Sequence, residues 1–161
     1  MTGNAPTAGT TNSFTMTHTN NAKLMWLWNT NFWLNAESGG NGSVNVTDGW
    51  FRRGTNVQII ATSSNRYHFG SWSGDTAGCT ISSNRITAPM TRPRTIMANF
   101  APDPVLVVST DFGTGNPPEG TNWCTYNASI KAYLVDSPVT MGVTQYVCRG
   151  WRGTGNVPAG G

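Results

Sequence analysis

A chain of 161 residues is long enough for one medium domain or two small ones. Only 11% of its residues are charged, the net charge is +3, and the eight arginines are scattered from Arg52 to Arg152, so no stretch has the basic density of a nucleic-acid footprint. No apolar run reaches the ~18 residues of a membrane span, and 19 glycines with abundant Thr, Asn and Ser, set against seven Trp, six Phe and four Tyr, exclude disorder and favour strands joined by tight turns.

The segment after Met1 has neither a basic start nor an apolar stretch, so it is not a signal peptide; the signal of an exported protein would lie upstream or have been removed. Thr2 to Gly9 (TGNAPTAG) resembles Thr154 to Gly161 (TGNVPAGG), as if the chain opened and closed at one point of a repeat. From Phe14 to Trp28 the composition is strand-forming, and Leu24, Trp26 and Trp28 alternate with Met25 and Leu27 across two faces. Gly39-Gly40-Asn41-Gly42 is a strong hairpin signal. Asn56 to Thr62 and Arg94 to Phe100 are short runs bounded by Gly, Pro or Asn turns, and Ala101-Pro102-Asp103-Pro104 is a joint, since proline cannot donate to a ladder. No stretch has a helical period with caps. The expected fold class is all-β, mainly antiparallel, with little or no helix.

Internal comparison divides the chain further. Phe14 to Trp28 aligns without gaps on Ile86 to Phe100, placing Thr15 on Thr87, Leu24 on Ile96, Met25 on Met97 and Trp28 on Phe100. Trp50 aligns with Trp123, Val57 with Ile130 and Ile59 with Ala132; beyond a longer loop at Asp136 to Thr144, Tyr67 meets Tyr146 and Trp72 meets Trp151. Residues 1–31 then read as the closing strands of a preceding repeat, 32–103 as an intact unit, and 104–161 as a unit lacking its last strands.

Gly40-Asn41-Gly42-Ser43-Val44, Arg53-Gly54-Thr55, Tyr67 to Asp75 (YHFGSWSGD) and Ile96 to Phe100 (IMANF) occur in an order that resembles the divergent InlB B-repeat over residues 32–103, and more loosely over 104–161. The resemblance implies a small β-grasp-like fold repeated in tandem, a bacterial extracellular or cell-surface location, and a spacer or adhesive role without catalytic residues. With that location, Cys124 and Cys148 are expected to form a disulfide. They align with Phe51 and Phe69, so a touching aromatic pair would have become a bonded cysteine pair. Cys79 is the odd cysteine, either a tolerated thiol or an intermolecular link.

Catalytic chemistry is missing. His18 and His68 are the only histidines, the seven carboxylates sit mostly in turns, and the cysteines have neither a CxxC spacing nor a nearby His, so neither enzyme activity, a metal nor a cofactor is expected. The sequons at Asn41, Asn45 and Asn127 are glycan acceptors in a secreted protein or accidents of an Asn- and Thr-rich chain. Trp26, Trp28 and Trp33 either fill a core or stack on sugar rings. The leading expectation is a structural module that assembles head to tail by β-strand complementation, using Phe14, Met16, Leu24, Trp26 and Trp28 to complete the C-terminal unit of the same chain or of a neighbour. The expected partners are thus its own copies or adjacent repeats, without nucleic acid or membrane insertion. A carbohydrate-binding adhesin module contacting surface glycans through Trp26, Trp28 and Trp33, and a passive spacer, are the alternatives.

Overall fold

The computed structural model describes residues 8–158. The matching termini at 2–9 and 154–161 therefore fall partly outside the described residues. Fourteen strands and no helix occur among the described residues, in agreement with the all-β expectation.

Residues 31–102 form two four-stranded sheets. The first contains β1 (Asn31–Ser38), β3 (Gly49–Arg52), β5 (Tyr67–Gly74) and β8 (Arg94–Pro102), in the order β3-β1-β8-β5. The β1–β8 pair is parallel, with Leu34 opposite Arg94 and Ala36 opposite Ile96, and its other pairs are antiparallel. The second contains β2 (Gly42–Val44), β4 (Asn56–Ser63), β6 (Thr80–Ser82) and β7 (Arg85–Pro89), in the order β2-β4-β7-β6, antiparallel throughout.

Alternation along each strand sends one row of apolar side chains between the sheets. Leu34 and Ile96 from the first sheet meet Val57, Ile59, Ile86 and Ala88 from the second, with Met90 from the turn after β7. Five of the nine buried apolar residues (Ile86, Ala88, Met90, Ile96 and Ala98) belong to β7, β8 and their connecting turn. These two strands are the middle of the fold: β7 separates β4 from β6, and β8 separates β1 from β5.

Arg94 is the one buried charged residue named among the described residues. Its Nη1 donates to the carbonyls of Asp75 and Ala77 at 2.7 and 2.9 Å, and its Nε to that of Pro89 at 3.0 Å. A buried guanidinium is tolerated when its donors are satisfied in this way, and here it ties the 75–79 loop to β8. Gly74 closes β5 with φ of 87°, where a Cβ would collide with the Thr95 carbonyl.

The C-terminal strands are short: β9 (Val105–Val108), β10 (Gly115–Asn116), β11 (Gly120–Trp123), β12 (Tyr133–Leu134), β13 (Val139–Met141) and β14 (Thr144–Tyr146). They pair only two by two, as β9–β11, β10–β12 and β13–β14. Among described residues from 104 onward, Gly115 alone is buried.

Candidate assembly surface

The expected N-terminal strand pair is not a ladder in this structure. Residues 8–30 are exposed throughout and carry no strand. Phe14 and Trp26 lie with ring centroids 6.0 Å apart, yet Leu24, Leu27 and Trp28 are 52%, 83% and 89% exposed. The last residue before β1 is anchored, since the Thr30 carbonyl accepts from Arg53 N–H at 2.8 Å.

Two of the three C-terminal hairpins resemble strand pairs of the two sheets. In the first sheet Trp33 faces Trp50 and Leu34 faces Gly49; in the β9–β11 hairpin Val105 faces Trp123 and Leu106 faces Asn122. With Trp50 matched to Trp123, β9 takes the place of β1 and Leu106 that of Leu34. The exposure pattern agrees, because Leu106 and Val108 are the more covered residues of β9 while Val105 and Val107 face outward. In the same way β10–β12 stands where β2–β4 stands, antiparallel, with its register moved by two residues.

Neither hairpin has the neighbour its counterpart has. Among the described residues β9 has β11 on one side and no strand on the other, and β12 has only β10. In residues 31–102 those two positions belong to β8 and β7. A strand edge left without a ladder partner is a template for another strand. It borders exposed apolar side chains here, among them Val107, Ile130 and Val135.

Side-chain contacts hold the C-terminal hairpins to the preceding sheets. The His68 ring stacks on Tyr126 at 3.9 Å and its Nδ1 lies 3.1 Å from Asp103 Oδ1, while Arg66 covers Trp123 at 5.1 Å. Within the region Phe112 stacks on Tyr146 at 3.6 Å, and Asp136 Oδ1 accepts from Thr114 N–H at 2.6 Å. Nothing local to His68 in the sequence marks this contact. Its partner Asp103 lies 35 positions away, a separation that carries no local signal.

The expected Cys124–Cys148 bridge is absent. Both are free thiols, with Cys124 Sγ 3.4 Å from the Asn122 carbonyl and Cys148 Sγ 3.6 Å from that of Gly150. The contact that motivated the pairing is also absent. Phe51 on β3 and Phe69 on β5 sit on the two outer strands of one sheet, three strand spacings or about 14 Å apart. Phe69 packs instead against Phe100 and Trp72, and Phe51 faces Phe32. Cys79 is free as well; burial pushes its thiol pKa up, with Arg94 and Arg92 acting in the opposite direction.

Trp26 and Trp28 are 46% and 89% exposed, and Trp33 is 40% exposed. Trp33 lies on the outer face of β1, edge to face with Trp50 at 5.3 Å, so the three tryptophans do not form a buried core. Asn45 of the second sequon uses its Oδ1 to accept from Ile60 N–H at 2.7 Å. No group of three or more His, Cys, Asp or Glu able to hold a metal ion occurs among the described residues.

Comparison with known proteins places residues 32–104 in one family: they match the divergent InlB B-repeat domain. No curated protein and no solved structure matches the chain. The two-sheet unit thus matches the divergent InlB B-repeat domain, a family of repeat modules that are typically extracellular or at the cell surface.

Proposed function

We propose that this chain is a structural module of a bacterial extracellular fibre or surface protein, and that copies join head to tail by strand complementation. The observation that carries this reading is a matched deficit and surplus. The hairpins β9–β11 and β10–β12 stand in for β1–β3 and β2–β4 but have no strand in the places of β7 and β8. Residues 14–28, which align on β7 and β8 without a gap, lie exposed and outside any strand. Joining the two restores the middle strand of each sheet and covers the apolar row of Phe14, Met16, Leu24, Trp26 and Trp28.

Completion by a second copy is favoured over self-closure by the parallel β1–β8 pair. Parallel strands start at the same end of a sheet. Residue 31, where the N-terminal segment joins, and residue 102, where the C-terminal region departs, therefore lie at opposite ends, roughly 30 Å apart at ~3.3 Å per residue. A head-to-tail contact of this kind does not close on itself and grows into a filament.

The test is growth with concentration, followed by light scattering and electron microscopy. Removing residues 1–30 should abolish growth while the melting of residues 31–102 is retained. A protein that stays strictly monomeric at high concentration would end this reading. A second reading, glycan binding, is supported by the exposed Trp33–Trp50 pair, which offers two indole surfaces on one sheet face. It predicts sugar affinity that is lost on Trp50→Ala and independent of residues 1–30.

A further inference from the structure

We propose a specific register for the complementing strand: it enters parallel to β9 with Lys23 opposite Val107, and at two positions a larger donor side chain meets an acceptor residue that has shrunk. This inference rests on the assembly reading above and goes beyond it by naming which residues meet.

The register comes from superposing two alignments. Asn35 pairs with Thr95 in the parallel β1–β8 ladder. Val107 takes the place of Asn35 once Val105–Trp123 is matched to Trp33–Trp50. Lys23 takes the place of Thr95 in the gapless match of 14–28 to 86–100. The same shift sets Ala22 opposite Leu106 and Leu24 opposite Val108. Leu24, Trp26 and Trp28 then occupy the inward positions of Ile96, Ala98 and Phe100, and Met25 stays outward like Met97.

The two exchanges of size come from cross-strand neighbours. Ile59 lies directly opposite Ile86 in the complete unit, and both are fully buried. Their equivalents are Ala132 on the acceptor and Phe14 on the donor. Phe69 lies opposite Phe100, with rings 6.2 Å apart. Their equivalents are Cys148 and Trp28. At these two places the acceptor residue is smaller and the donor residue larger, whereas at Val57–Ala88 and Trp72–Ala98 the equivalents Ile130–Met16 and Trp151–Trp26 show no such exchange. Cys148 is accounted for as space for an indole, without any bond to Cys124.

The register is read by cross-linking between copies. One protein carries Lys23→Cys, the other Val107→Cys, both with Cys79, Cys124 and Cys148 replaced by Ser; they are mixed, oxidised and digested for mass spectrometry. The expected result is a 23–107 link at least about tenfold more abundant than the links formed by Asn21→Cys or Met25→Cys with Val107→Cys, because only one pair has its Cα atoms within bonding range. Assembly with a different dominant link, or with none, overturns the register and leaves head-to-tail growth standing. Absence of assembly in the unsubstituted protein overturns both. If the serine background itself fails to assemble, hydrogen exchange on the unsubstituted protein decides: β9 amides must gain protection on assembly, and unchanged β9 exchange in an assembled sample refutes the register.

Discussion

Trp28→Ala separates assembly from folding. Trp28 is 89% exposed in the single chain, whereas its counterpart Phe100 is packed against Phe69. Covering the indole to a similar degree removes roughly 150 Å² of apolar surface, which at ~25 cal/mol per Å² amounts to about 3–4 kcal/mol of contact energy. The midpoint of assembly should therefore move up in concentration by roughly 10²–10³-fold. Sedimentation velocity over a dilution series measures that shift, and thermal unfolding of the dilute protein supplies the control. Because Trp28 touches little in the single chain, dilute stability should change by less than about 0.5 kcal/mol. An unchanged assembly midpoint would refute the reasoning, and so would a fall in dilute stability large enough to account for the loss.

Other expected outcomes concern the complete unit. Arg94→Met removes three charge-assisted hydrogen bonds and strands the carbonyls of Asp75, Ala77 and Pro89, so the urea midpoint should fall by the equivalent of about 3 kcal/mol. Gly74→Ala forces a side chain into positive φ against the Thr95 carbonyl and should cost about 2 kcal/mol in the same assay. Cys79 should be alkylated more slowly than free cysteine at neutral pH. Its raised pKa means less thiolate at a given pH, and the gap should narrow as pH climbs through and above the ordinary thiol range.

Much of the fold was legible because strands leave a period-two record. The short run Arg94 to Phe100 reads as a strand, and β8 there alternates buried Arg94, Ile96 and Ala98 with more exposed Thr95 and Met97. The turn at Gly39 to Gly42 lies where β1 gives way to β2, and positive φ at Gly40 and Asn41 explains why those residue types stand there. The register of β9–β11 was not legible, because Val105 and Val107 resemble Leu106 and Val108 and nothing local says which row faces inward. The expected disulfide is not formed in this structure, for a related reason. Alignment sets Cys124 and Cys148 on Phe51 and Phe69, but alignment carries no information about whether those residues touch.

By itself, then, the amino-acid sequence determined the all-β class and the turn at Gly39 to Gly42, since these are written in neighbouring residues, while the match of 14–28 to 86–100 is a likeness of residues that carries no strand over 8–30 in this structure. Tertiary structure alone decided which strands are neighbours. Leu34 meets Arg94 and His68 meets Asp103 across long stretches of chain, and such pairings follow from how two sheets bury one shared core. That arrangement put β7 and β8 in the middle of the unit, set Phe51 and Phe69 on opposite edges, and left β9 and β12 each with an open side.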